Sequence, residues 1–170
     1  IAPHAASAGP VWLFDMDGSR LQFGNPAAAA LLGFSTCAEA AGTPVIQPGL
    51  AAQIGRIGAT LEPGGNPQLA RLRGLGLSLG RPLTCACSAI SIGSQSGILV
   101  HALEPAGPAI SLAERARRLI EDRDAALVAF GPDGALLHAN AEAARRLNAE
   151  TSLAQIKDKA EIWTIGEGAD

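Results

Sequence analysis

The chain has 170 residues, is 48% apolar and carries a formal net charge of -3. That composition describes a globular chain without the basic excess of a nucleic-acid-binding surface, so no nucleic-acid partner is expected. No apolar run approaches the ~18 residues of a membrane span, and Ile1 to Pro10 lacks the basic and apolar regions of a signal peptide.

Residues 1–10 read as an N-terminal tail. The apolar run Val11 to Phe14, the turn pair Asp17-Gly18 and the stretch Leu21 to Phe23 then form a β-hairpin. Asn25 is placed as a helix N-cap, Pro26 occupies the first helical position, and Gly33 ends the helix in the left-handed conformation. Further helices are expected around Ala38 to Ala41 and over Leu50 to Leu61. After Pro63-Gly64-Gly65 the texture changes to strands: Gln68 to Leu79, Leu83 to Ile92 and Gly97 to Leu103, separated by Gly80-Arg81-Pro82 and by Gly93 to Ser96. Two early strands and three late ones predict an α+β unit with a five-stranded antiparallel sheet and short helices on one face.

Pro105-Ala106-Gly107-Pro108 closes that unit and opens a linker over 105–125. Ser111-Leu112-Ala113-Glu114 is a capping box, and Leu112, Ala116, Leu119 and Ile120 share one stripe of the helix that follows, running to about Asp124. Too short for an isolated coiled coil, this helix must rest on its own domain or on a second subunit. Glu114, Glu121, Asp122 and the neighbouring arginines read as a solvated face.

From Ala126 the opening pattern returns. Leu127 to Phe130, Asp133-Gly134, Leu136 and Asn140 repeat Val11 to Phe14, Asp17-Gly18, Leu21 and Asn25 at a spacing of about 115 residues, the length of one small domain. Asn140 is the second helix cap, and Asn148 stands near the end of its helix. Only about 45 residues remain after this restart, too few to close a core. The second unit is therefore expected to be truncated, and to be disordered, packed as a terminal hairpin and helix, or exchanged with a neighbouring subunit. Because the chain starts without Met, it is expected to derive from a longer protein.

Val11 to Gly18, Asn25-Pro26-Ala27-Ala28 and Leu31-Leu32-Gly33-Phe34 resemble the opening hairpin and first helix of the PAS sensor domains of bacterial signalling proteins. The resemblance covers Val11 to about Leu103 and restarts near Ala126. It implies a tail over 1–10, a PAS domain over 11–104, a linker with a signalling helix over 105–125, and the N-terminal part of a second PAS domain over 126–170. It also implies a regulatory module without catalysis, from a sensor histidine kinase, acting in signal perception, dimerisation or partner docking. Leu112, Ala116, Leu119 and Ile120 would form the dimer or signalling helix. The partners implied are a second copy and a signalling protein, in the cytoplasm, with any membrane anchor elsewhere in the longer protein. No phosphoacceptor-histidine helix and no ATP-binding motif is present; a cyclic-dinucleotide synthase or phosphodiesterase with PAS inputs is a second family reading. No cofactor is expected: the flavin-binding Asn-Cys-Arg-Phe string is absent, and Leu50 to Leu61 holds no haem-ligating histidine. A small metabolite is left open as ligand.

Two further groups of residues point to other chemistries. Phe14-Asp15-Met16-Asp17-Gly18-Ser19 resembles the first motif of haloacid-dehalogenase-like phosphatases, with Asp15 as nucleophile and Asp17 as acid/base. The only lysines, Lys157 and Lys159, lie in a charged run, and the repeat replaces Asp15 with Gly131 while keeping the turn pair, which favours a hairpin. Cys85 and Cys87 alternate onto one face of a strand, and with His101 alongside they form a partial soft-ligand set. The spacing is not a zinc knuckle, so no metal is expected and buried thiols are the default. Cys37, near a helix start, is a candidate for a modestly lowered pKa.

Overall fold

The computed structural model describes residues 2–76 and 81–146. Its centre is a six-stranded antiparallel sheet in the order β3-β2-β1-β6-β5-β4. The strands are β1 Val11–Asp15, β2 Arg20–Gly24, β3 Thr43–Pro44, β4 Gln68–Leu72, β5 Leu83–Ile92 and β6 Gln95–Ala102. The helices α1 Pro26–Leu31, α2 Cys37–Ala40 and α3 Pro48–Gly58 fall between β2 and β4. A 3-10 turn over Ala2–His4 precedes the sheet, and α4 Leu112–Ile120 follows it. The chain then forms a separate hairpin, β7 Val128–Phe130 with β8 Leu136–Ala139, and α5 Ala141–Ala144.

The sheet has six strands, not five. The addition is β3, whose two residues pair with Leu21 and Arg20 at the edge beside β2. Two residues are too few to show alternation, and Pro44, which lacks an N–H, suits only an edge. The strand expected to reach Leu79 ends at Leu72, where the chain bends and Gly74 takes φ +93°. Leu77 to Gly80 lie outside the described residues, as do Leu147, Asn148, Lys157, Lys159 and the whole polar C-terminal stretch. The β5-β6 turn is tighter than expected, since Ile92 pairs directly with Gln95 around Gly93 and Ser94.

Alternation decides which side chains enter the core. Trp12, Val100 and Cys87 stand in register across β1, β6 and β5, with Phe14, Ile98 and Ala89 in the next inward row. All six are buried, and α3 covers them with Leu50 and Ile54 while α1 contributes Ala28, Ala29 and Leu31. Burying each large side chain stabilises the fold by about 1.5–3 kcal/mol, which holds the short helices on the sheet despite their marginal length. Among the described residues, no helix is long and apolar enough to cross a membrane.

Candidate functional site

The sequence repeat has a geometric counterpart centred on two buried asparagines. Asn25 Oδ1 accepts from the Val11 N–H (3.0 Å) and from the Ala28 N–H (2.9 Å). Its Nδ2 donates to the carbonyls of His4 (3.1 Å), Ser7 (3.4 Å) and Gly9 (2.8 Å). Asn140 does the same: Oδ1 accepts from Leu127 (3.1 Å) and Ala143 (3.0 Å). Its Nδ2 donates to the carbonyls of Ile120 (3.3 Å), Arg123 (3.0 Å) and Ala125 (2.8 Å). Each amide caps a helix and also ties the first strand of its hairpin to the turn before it.

Asn25 therefore holds Ala2 to Pro10 against the domain instead of leaving it as a free tail. His4 stacks obliquely near His101, with ring centroids 5.4 Å apart. Burial, and then the neighbouring His101, lower the His4 pKa.

The linker helix touches both units. Towards the first, Arg118 Nη1 donates to the Phe34 carbonyl (2.8 Å) and the Thr36 hydroxyl donates to Asp122 Oδ2 (2.5 Å). Towards the second, Glu121 pairs with His138, while the carbonyl of Ile120 accepts from Asn140. Of the apolar stripe, Ala116 is buried, Leu119 packs against the sheet-covering core, and Leu112 and Ile120 are half-buried.

The charges expected on a solvated face do reach solvent, Asp122 exposed and Glu114 and Glu121 in part, and are hydrogen-bonded there. Ser111 caps the helix by accepting from the Glu114 N–H (3.2 Å), but the Glu114 carboxylate turns to Arg117 and Arg118. Hydrogen bonding from Arg117, followed by that from Arg118, holds the Glu114 pKa down at about 2 against the opposing effect of burial. Arg118 and Asp122 were missed as docking residues because their targets, a carbonyl after Gly33 and the cap of α2, lie more than 80 positions away, with no sequence signal linking them.

The other candidates are dispersed. Cys85 and Cys87 share the inward face, but His101 stands opposite Ala86 and so points to the other side of the sheet. The soft-ligand set is not assembled, and no group of three metal-ligating side chains occurs among the described residues. Asp15 accepts from the Ser19 hydroxyl (2.9 Å) and the Arg20 N–H (2.9 Å), and Asp17 accepts from the Ser19 N–H (2.8 Å). Both carboxylates thus brace the hairpin turn. Asp133 repeats the second contact with Ala135 N–H (3.0 Å) in a hairpin that has no Asp15 equivalent.

Cys37 does begin α2, yet its pKa is not lowered. Burial pushes it up to about 12 in spite of nearby Arg123 and Arg118. Burial likewise raises Cys85 to about 12 and Cys87 to about 11. Unfolded thiols ionise near 9, so this contribution to stability is present below pH 9 and is lost as the pH rises towards 11–12. Iodoacetamide at about pH 8.5 is expected to modify all three cysteines only as fast as the domain unfolds. Labelling of any one at the rate of a free thiol, in protein that keeps its native circular dichroism, would contradict this.

Residues 5–63 match a family model described as a PAS domain. With the antiparallel sheet and its helices on one face, the match supports a PAS domain in the first part of the chain, and with it a sensory or regulatory module. The matched stretch begins inside the segment held by Asn25 and ends before β4. No curated protein matched the chain.

Proposed function

We propose that the chain is a non-catalytic regulatory segment of a bacterial signalling protein, with a sensor histidine kinase as the parent. In this reading Ala126 onward is the start of a second PAS domain, and α4 relays a change in the first unit to it. The observation that carries the proposal is the double attachment at the C-terminal end of α4: Arg118 and, in the turn after the helix, Asp122 bond to Phe34 and Thr36, while Glu121 and the Ile120 carbonyl bond to His138 and Asn140. The directional bonds to the two units meet within five residues, from the last turn of α4 to the turn that follows it, so a displacement on one side reaches the other more directly than through a flexible linker.

Substituting Arg118→Ala removes the bond to Phe34 without touching the second hairpin. Hydrogen exchange at the Leu127 and Ala143 amides, which Asn140 binds, is expected to accelerate by about tenfold. If exchange changes only near Phe34 to Glu39, the two units are not coupled through α4 and the relay reading fails.

A further inference from the structure

The edge strand β4 and helix α3 are joined at two points and apart between them. At one end the Gln53 carboxamide pairs with Arg73, accepting from its N–H (3.2 Å) and donating to its carbonyl (3.4 Å). At the other end the Thr60 hydroxyl donates to Gln68 Oε1 (3.1 Å), and Gln68 Nε2 donates to the Thr60 carbonyl (3.4 Å). Between these contacts lies a shallow cleft of about 310 Å³, largely open to solvent and lined by Arg56, Ile57, Ala70, Arg71 and Leu72. That volume is at the small end of the range for small-molecule sites.

The register of the sheet shows what the strand presents there. Thr84 uses its main chain towards β6: its carbonyl accepts from the Leu103 N–H (2.9 Å), and its own N–H donates to Glu104 (3.3 Å). Its partner across β4 is Arg71. In an antiparallel ladder each residue's N–H and C=O point the same way and alternate along the strand. Arg71 therefore turns both groups away from β5, to the edge that borders the cleft and that no strand pairs among the described residues. Two residues on, at Arg73, the equivalent pair is the one Gln53 satisfies.

We infer that this cleft is a binding site for a small flat molecule carrying a primary carboxamide or cyclic amide edge, which pairs with the Arg71 N–H and C=O as the Gln53 side chain pairs with Arg73. Ile57 and Ala70, both half-buried, supply apolar sides suited to a ring over the buried Leu72, and the Gln53 and Thr60 contacts close the ends against an extended peptide. The site is independent of the relay through α4, so the loss of either reading leaves the other standing.

The test is a titration of the full ¹⁵N-labelled chain, followed by amide chemical shifts, with benzamide and with N,N-dimethylbenzamide as probes. Benzamide is expected to shift the Arg71 and Ile57 amides saturably. The dimethyl compound keeps the ring and the carbonyl but has no N–H to give, and is expected to bind at least about tenfold more weakly. Equal affinity of the two probes, shifts that map away from Arg71, or no saturable shift up to about 10 mM benzamide would each overturn the inference.

Discussion

Replacing Asn25 with alanine is expected to destabilise the first domain by about 3–4 kcal/mol, measured by urea denaturation. Loss of a helix cap alone is worth about 1 kcal/mol. The remainder comes from the Val11 N–H and from the carbonyls of His4 and Gly9, which lose their partner where the asparagine is wholly buried. Set against a typical stability of about 5–15 kcal/mol, that is a large part of the whole. Asn25→Asp separates a cap from the wider role. Aspartate caps helices as well as asparagine does, so a pure cap predicts near-native stability. Here a carboxylate oxygen would face three carbonyl oxygens in place of the donating amide, and Asn25→Asp is expected to be no more stable than Asn25→Ala at neutral pH. A stable Asn25→Asp protein would show that only the cap matters. The same change at Asn140 should shift the global transition by less than half as much: Asn140 is as buried as Asn25, but two of its carbonyl partners belong to the exposed residues Arg123 and Ala125, where water can replace the lost donor.

These expectations rest on contacts that the sequence shows only in part. The hairpin, the cap positions and the strands β5 and β6 were legible because they depend on local chemistry: alternation, an Asn before a Pro-initiated helix, a Gly where φ must be positive. Gly33 and Gly18 indeed take φ +86° and +74°. The second function of Asn25, its amide reaching back to Gly9, was hidden because it needs the sheet to bring β1 and the preceding turn together. The repeat nevertheless held the clue, since two asparagines kept at matching positions serve more than a helix start.

The linker helix was legible as a helix and not as an interface. Its capping box and apolar stripe are local patterns, whereas the partners of Arg118 and Asp122 are set by how α1 and α2 fold over the sheet. Charged residues in a short amphipathic helix default to solvent, and nothing along the chain marks these two as exceptions. The cysteine pair illustrates the converse. Alternation correctly placed both sulfurs on one face, but the position of His101 depends on the β5-β6 register, which a shift of one residue would have reversed. The cleft beside β4 was not legible at all, because an unpaired strand edge is a property of sheet order.

The two hairpin turns offer a second comparison, in which nearly the same sequence sits in different surroundings. Gly18 and Gly134 both follow an aspartate, both have positive φ, and in both turns the glycine N–H donates to the carbonyl three residues earlier, Asp15 at 3.0 Å and Gly131 at 2.9 Å. A Cβ on Gly134 would meet nothing within 4 Å, so Gly134→Ala is expected to cost only the left-handed backbone penalty of about 1 kcal/mol. A Cβ on Gly18 would lie 2.6 Å from the Ala51 carbonyl oxygen and 2.8 Å from the Ile54 Cβ of α3. Neither atom is the end of a flexible side chain, so helix and turn must separate. The approach is close along its length, since a Cβ on Gly55 would fall 2.8 Å from the Asp17 carbonyl oxygen and one on Gly58 2.6 Å from that of Met16. Gly18→Ala is therefore expected to destabilise the domain by about 3–4 kcal/mol, the backbone penalty plus overpacking against α3. Urea denaturation of the two variants side by side provides the measurement. Equal losses would mean that α3 does not seat on the first turn, and would remove the packing that fixes this helix beside β4.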